Sequence, residues 1–361
     1  MSALHRMQVP AVRLQLDEFN EPVGMSYYRI PDGAALFGGD RLASLLPQVL
    51  SAAVLQAGLS PEEIRRLPLF VGSSCFAIDQ FESRYAAALA QQPETAVPMP
   101  LCGYQDIAML AQQLLGCAGE TYAYNTACTS SANAILGAMR MIELGWYRHA
   151  LVIGAELANL TTLAGFSGLQ LVAEVLQPFD AARNGIVLGE GVSAVLLSAE
   201  PNSGSTLRIL GGASNCDTSS VTTANPDGNS VASVMKQALD SASLQPREIC
   251  GIKAHGTATA MGDTAEAVGM RQVFSDPPPV TVLKPYIGHT LGACCVNELV
   301  LFGTALQQDF QPATPGFETP DPKLGLVPIR IPGTAPDGCY LLNHFGFGGN
   351  NTVLVLEKTS S

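Results

Sequence analysis

From residue 121 to residue 156 the chain reads TYAYNTACTSSANAILGAMRMIELGWYRHALVIGAE. Residues 121–125 are rich in strand-formers, and Ser130 and Ser131 are N-terminal helix signals. Ala132, Ile135, Leu136, Met139 and Ile142 recur at helical spacing, and Gly145 supplies a stop. The HALVIGAE run that follows is almost wholly apolar, as in a strand covered on both faces. Cys128 therefore falls at a strand-to-helix junction, near the positive end of a helix dipole that favours thiolate over thiol. Ala127, Thr129 and Ser130 beside it leave room for a substrate. A free cysteine is also at home as a small buried hydrophobe. On this stretch alone the two readings stand side by side.

Composition narrows the class. The 361 residues suffice for two domains or one large two-part core. A hydrophobic fraction of 47% and only 14% charged residues argue against disorder and suit an α/β enzyme with much buried sheet. The net charge of −12 argues against nucleic acid, whose phosphates need concentrated Lys and Arg. Nine scattered cysteines, an odd number with no CxxC pair, fit neither a disulfide framework nor a zinc site and point to a reducing compartment. MSALHRMQVP has no signal-peptide core, and no uncharged apolar run reaches ~18 residues, so a cytoplasmic protein without a membrane span is expected.

Further strands are expected at 67–75, 191–200, 248–256 and in CYLLNHFG and TVLVLEK; helices are expected at 41–58 (despite Pro47), 229–244 and 291–308. GEGVSAVLLSAE and GFGGNNTVLVLEK echo each other, each a glycine-rich turn followed by a strand. Such a weak duplication suggests two similar α/β halves, with AEPNSGST (199–206) as the seam.

Three glycine-rich clusters follow Cys128. KAHGTATAMGDTAEA carries His255 at a strand end; if 255–259 stays extended, His255, Thr257 and Thr259 face one side, and Asp263 and Thr264 cap a short helix. LKPYIGHTLGACC places His289 before another helix, with Lys284 five residues earlier, where its ammonium could fix the tautomer of His289. NHFGFGGNNT can bring backbone N–H groups close to a ligand. Singly, each has an ordinary reading: a structural histidine, a solvated lysine, a turn. Neither GxGxxG nor GxSxG spacing occurs, which removes a dinucleotide fingerprint and a serine-hydrolase elbow. Together the cysteine, two histidines, lysine and donor loop point to catalysis. A Cys–His hydrolase would leave His289, Lys284 and the loop without a role.

NTACTSS, PFDAARNGIVLGEG, AHGTATAMGDTAEA, KPYIGHTLGA and NHFGFGGNN resemble, in order, the signature blocks of the β-ketoacyl-acyl carrier protein synthases of types I and II, over roughly two thirds of the chain. The resemblance implies an α/β thiolase fold, two pseudo-duplicated halves in a five-layered αβαβα sandwich working as a dimer. Residues 1–200 would carry the nucleophile, and residues 201–361 the histidine pair and GFGG loop. It implies that Cys128 accepts an acyl chain and that His255 and His289 contact the malonyl thioester during decarboxylation, with Lys284 supporting them. Thr257 and Thr259 would hold the pantetheine arm. Phe347 would gate the site, its N–H joining that of Cys128 in an oxyanion hole. Glu298 would be a buried supporting residue. No cofactor or metal is implied; substrates would arrive on the phosphopantetheine arm of an acyl carrier protein, in fatty acid or type II polyketide or polyene synthesis.

The first third departs from the family, reaching its first major helix sooner, and the segment LAGFSGLQLVAEVLQPFD is trimmed and lacks an arginine that several relatives carry. Arg65, Arg66, Arg140 and Arg148 are candidates for a basic docking patch, and Phe166, Leu169, Met109 and Met139 for the acyl pocket. These departures support an alternative: a chain-length-factor-like partner in a heterodimer with another ketosynthase subunit. Such subunits usually lack the nucleophile, which Cys128 supplies here. A degradative thiolase is disfavoured, because its second C-terminal cysteine has no counterpart in NHFGFGGNN.

Overall fold

The computed structural model describes residues 11–16, 23–37, 41–91, 103–200 and 205–360. Four strands, Leu69–Gly72 (β1), Thr121–Tyr124 (β2), His149–Glu156 (β3) and Gly191–Ser198 (β4), form a sheet in the order β2-β1-β3-β4. The first three are parallel, and β4 runs back antiparallel to β3. A second sheet, in the order β7-β6-β8-β9-β5, comprises Leu207–Cys216 (β5), Ile249–Lys253 (β6), Val280–Thr281 (β7), Gly338–Phe345 (β8) and Asn350–Lys358 (β9). The helices that matter for the site and core are Arg41–Ala57 (α1), Ser130–Glu143 (α2), Leu160–Gly168 (α3), Asn229–Ser241 (α4), Ala260–Val273 (α5) and Cys294–Gln307 (α6).

Period-two alternation along the strands sets the layers. Leu69, Val71, Leu151 and Ile153 pack on Leu46 and Leu50 of α1, while Phe70 and Val152 point the other way. There they meet Ile135 and Ala138 of α2 and Val296 and Phe302 of α6. Those helices also cover Leu342 and Leu354 of the second sheet. The opposite residues of that sheet, Ile252, Leu341 and Val353, pack on Val234 and Met235 of α4 and Met270 of α5. The succession is α-β-α-β-α. Strands apolar on both faces are what such a middle position demands.

The glycine-turn echo corresponds to a shared move: β4 turns back on β3, and β9 turns back on β8. The halves are not identical, since β4 is an edge strand whereas β9 has β5 outside it. The expected seam lies between β4 and β5, and residues 201–204 fall outside the described residues. Pro47 stands inside α1 without ending it. The helix expected at 291–308 begins with a 3₁₀ turn, Leu291–Ala293, before α6 proper. No helix among the described residues is long and apolar enough to cross a membrane.

The first turn of α2 lies directly on β1. A Cβ on Gly72 would stand 2.3 Å from Ser131 Cα and 2.4 Å from its nitrogen, both backbone atoms that cannot rotate aside. Gly72→Ala is therefore expected to lose ~1–3 kcal/mol to overpacking and to displace the turn bearing Cys128. Urea denaturation checks this, and an unchanged midpoint would remove the close packing from the account.

Candidate functional site

Cys128 sits two residues before α2, after Ala127, whose φ of 51° is a left-handed conformation uncommon for a residue with a Cβ. The turn is tied by Thr129 N–H to the Thr126 carbonyl (3.2 Å) and Ser130 N–H to the Ala127 carbonyl (3.1 Å). Ser131, expected as a signal for its own helix, instead accepts from Cys295 N–H at 3.1 Å, so it caps the start of α6. This hydroxyl joins the two central helices, one from each half.

The GFGG turn packs against the same residue. A Cβ on Gly346 would stand 3.2 Å from Cys128 N, tighter than an ordinary contact, so the glycine eases the close approach of the loop. The Phe347 N–H donates to the Cys128 sulfur. Its ring stacks on Phe166 of α3, with centroids 5.5 Å apart and planes at 21°. Asn350 Oδ1, just after the loop, accepts from Asn133 Nδ2 of α2 at 2.8 Å and lies 2.6 Å from Thr129 Oγ1.

His255 follows β6 by two residues. Its N–H and that of Gly256 both donate, at 2.8 Å, to the buried carboxylate of Glu266 in α5. The segment 255–259 is not extended: φ is 50° at Gly256 and 62° at Ala258. Asp263 causes the bend by accepting from Ala258 N–H (3.0 Å) and Phe179 N–H (2.6 Å). The turn sets Thr257 Oγ1 3.0 Å from Thr259 Oγ1, and both line the cavity. Asp263 and Thr264 do not cap the helix; Thr259 does, accepting from Gly262 N–H, and the helix runs fourteen residues. His289 is held by its backbone, N–H to the Val187 carbonyl (2.8 Å) and carbonyl to Gly189 N–H (3.0 Å). Its Nδ1 is buried without a hydrogen-bond partner.

Cys128, His255, His289, Thr257, Thr259 and Phe347 thus line one cleft, and Phe166 joins them. The two imidazoles are edge to face, with centroids 5.3 Å apart. Lys284 and Glu298 lie behind the wall. Contrary to expectation, Lys284 serves His255 rather than His289: its Nζ donates to the His255 carbonyl at 2.6 Å, meets His255 Nδ1 at 3.2 Å and donates to Glu298 Oε1 at 2.9 Å. Sequence reasoning missed Lys253, Glu266 and His344, all buried around this lysine pocket. The available signal was a lysine and a histidine inside otherwise apolar strands.

Burial dominates the electrostatics. It pushes the Cys128 thiol up to about 11, against the opposing pull of Lys284 and the Phe347 N–H. The expected depression by the helix end is therefore outweighed in the free protein. Burial, reinforced by Lys284, also holds His255 and His289 well below the usual imidazole range, so both are neutral N–H donors near pH 7. Burial disfavours the Lys284 ammonium, but Cys294 and Glu298 raise its pKa above the usual value. Alkylation of Cys128 by iodoacetamide should accordingly quicken about tenfold per pH unit from pH 7 to pH 9, following the thiolate fraction. A rate already level at pH 7, with alkylation mapped by peptide mass, would mean that the thiolate is stabilised after all.

His255, Cys294 and His344 offer ligand atoms within 4.8 Å of one another. The Lys284 ammonium meets His255 Nδ1 and donates to Cys294 Sγ at 3.4 Å. A cation bound by this set would face that ammonium, so the arrangement does not suit a metal. Of the candidate pocket residues, Leu169 and Met109 are exposed, and Met139 packs into the central core. The expected basic patch is partly neutralised: Arg65 and Arg66 pair with Glu62, and Arg148 pairs with Glu63 and Glu200.

Residues 36–202 match the family model of the beta-ketoacyl synthase N-terminal domain, and residues 207–318 that of the C-terminal domain. The 3-oxoacyl-[acyl-carrier-protein] synthase 2 of Synechocystis sp. is 30% identical over 312 residues, 80% of this chain and 74% of that one. A Burkholderia phymatum beta-ketoacyl synthase superposes with a TM-score of 0.84 at 24% identity, over 99% of this chain and 94% of that one, and establishes the thiolase fold. A chain of the Xenorhabdus doucetiae complex of a ketosynthase (ApeO) with its chain length factor (ApeC) superposes with a TM-score of 0.82 at 25% identity, over 99% and 92% of the two chains. Family models covering most of the length, and a site with cysteine, histidine pair and glycine loop around one cleft, lead to one assignment: the chain belongs to the β-ketoacyl synthases, a family of acyltransferases.

Proposed function

We propose that the chain catalyses the decarboxylative Claisen condensation of an acyl group on Cys128 with malonyl-acyl carrier protein, in fatty acid or type II polyketide synthesis. The observation that carries this reading is the convergence of the Cys128 sulfur, the Phe347 N–H and two neutral imidazoles on one cleft. Cys128 attacks the acyl thioester, and the pantetheine thiol leaves with the cysteine proton. The malonyl thioester then loses CO₂. The electron pair of the broken C–C bond becomes an enolate whose oxygen is met by the N–H groups of His255 and His289. The enolate carbon attacks the Cys128 thioester, the Phe347 and Cys128 N–H groups hold the tetrahedral oxyanion, and the cysteine sulfur departs. Thr257 and Thr259 hold the pantetheine arm, Phe347 with Phe166 gates the acyl end, and Lys284 and Glu298 support His255. Substrates come on an acyl carrier protein, so no separate cofactor enters.

The chain divides functionally at residue 200, the first half bringing the nucleophile and the second the decarboxylating pair. It works as a dimer with itself or with a second ketosynthase subunit. All eight described cysteines are free, which supports a reducing cytoplasmic setting. Likeness to a chain of a ketosynthase–chain length factor complex favours a second reading, a subunit that shapes a partner's acyl tunnel.

Intact-mass spectrometry separates the two. The purified chain is exposed to acyl-carrier protein and then to malonyl-carrier protein. A condensing enzyme gains one acyl mass and releases it as β-ketoacyl-carrier. A chain that stays unacylated alone, yet changes product length when a second ketosynthase is added, is the tunnel-shaping subunit. On the first reading His289→Ala, which removes one enolate donor, should slow CO₂ release from malonyl-carrier by ~10²–10³-fold with acylation of Cys128 intact. Loss of both together would move His289 out of the decarboxylation step.

A further inference from the structure

Lys253 closes β6, is fully buried, and has no part in the chemistry described above. Its ammonium donates to Glu298 Oε2 on α6 and, at 2.7 Å, to the Asn343 carbonyl on β8. It also lies 3.2 Å from His344 Nε2 and 3.5 Å from Nδ1. The other Glu298 oxygen belongs to Lys284. One carboxylate therefore bridges two ammonium groups, one on each oxygen.

This division governs what Lys284 is free to do. An ammonium has three protons and no lone pair, so the nitrogen of His255 that meets Lys284 has to be an acceptor. That places the ring proton of His255 on Nε2, away from the lysine and on the side available to the cleft. If the Lys253 charge is removed, Glu298 Oε2 is left buried beside His344 Nδ1 at 3.9 Å, an imidazole that burial holds well below its usual range and therefore neutral. An ionised oxygen without a partner is costly. The carboxylate can then turn both oxygens onto Lys284, drawing Nζ from His255.

The geometry points to Lys253 as a positioning residue: by occupying one oxygen of Glu298 it leaves Lys284 to hold His255 in the Nε2–H tautomer. The groups facing this cluster fit the assignment. Glu266 on α5 accepts from the His255 and Gly256 N–H groups and from Asn343 Nδ2, so two lysines stand among two glutamates. Cys294 lies against Lys284, and His289 against the His255 ring. After burial and Lys284, Lys253 is a further influence holding His255 and His289 neutral. A merely structural lysine would not set a tautomer.

The inference rests on the reading of His255 as an enolate donor, so the decisive measurement is independent of turnover. The full chain, labelled with ¹⁵N-histidine, is followed by long-range ¹H–¹⁵N NMR; its five imidazoles are few enough to assign with His255→Asn. Wild type should show His255 neutral and Nε2–H from pH 8 to pH 6. In Lys253→Met the Nδ1–H form should appear, protonation should begin at higher pH, and kcat for malonyl decarboxylation should fall about tenfold with KM little changed. If the Met variant does not fold, Lys253→Gln keeps an N–H donor for Glu298 without the charge, and the same changes are expected at smaller size. An Nδ1–H tautomer in wild type, or a folded variant with unchanged tautomer and titration, overturns the proposal. A wild type with the expected tautomer but no decarboxylation would leave the Lys253 assignment standing and defeat the reading of the reaction.

Discussion

Cys128→Ala should take up no acyl group from acyl-carrier protein and should lose condensation by a factor on the order of 10⁴–10⁶. The size follows from the absence of a substitute. Cys75 is pushed up to about 12 by burial and the Glu156 carboxylate, and it does not line the cleft. Cys294 is likewise pushed up to about 12 and lies behind the wall beside Lys284. The substitution removes only a sulfur: Ala127 keeps its left-handed turn, and the Phe347 loop keeps its hold through Asn350 and Asn133. Decarboxylation of malonyl-carrier should therefore persist, because His255 and His289 are untouched. Two assays on one variant, intact mass and CO₂ release, divide the chemistry between nucleophile and imidazole pair. An acylated Cys128→Ala protein would place the nucleophile elsewhere.

Glu298→Ala carries the largest expected cost in stability, ~3–5 kcal/mol at pH 7. The lysines on either side have side-chain exposures of 0%, so neither can turn to water when its counter-ion is removed. Against a typical total of ~5–15 kcal/mol, that loss alone leaves the fold marginal. The pH dependence has a definite sign. Burial works against ionised Glu298, but Lys253 and Lys284 outweigh it and hold its pKa below the ordinary 4.5. Its contribution is present above that value and is lost as pH falls through the depressed one. Lys284 is raised above the ordinary 10.5, so its share is present below 10.5 and is lost as pH rises through the raised value. Wild type should keep both contributions from about pH 5 to pH 10. In the variant, burial acts on Lys284 without the carboxylate, so the deficit should narrow as pH rises from 7 to 10. Urea denaturation at the two ends checks this; equal stability of the two proteins at pH 7 would make the ion pair energetically neutral.

The strand, turn and helix around Cys128 were legible because each is decided by nearest neighbours: β-formers, a short polar turn, then apolar residues at helical spacing. The echo of two glycine turns announced two strands that double back, and the continuous apolar runs announced sheets covered on both faces. The residues of the cleft were legible as types and as motif blocks, since a nucleophilic cysteine and histidines in glycine-flanked turns are scarce in a chain with only five histidines.

What the tertiary structure decided concerns partners distant in sequence. Lys284 was expected at His289, five residues away, but a helical turn, Lys284–Ile287, and the strand end of β6 bring it to His255. Residues 255–259 were expected to be extended, yet the Asp263 carboxylate, reached from the next helix, bends them. Ser131 looked like a cap of its own helix and serves α6 instead. The Cys128 thiol was expected to be acidified by a helix end, and burial reverses that. The local elements, the layered pattern and the chemical types at the site were thus readable from the residues alone, because backbone propensity and periodicity act over a few residues. Which charge faces which ring, and which form each group takes, depend on contacts between distant segments, because desolvation and ion pairing follow what long-range packing places within a few ångströms.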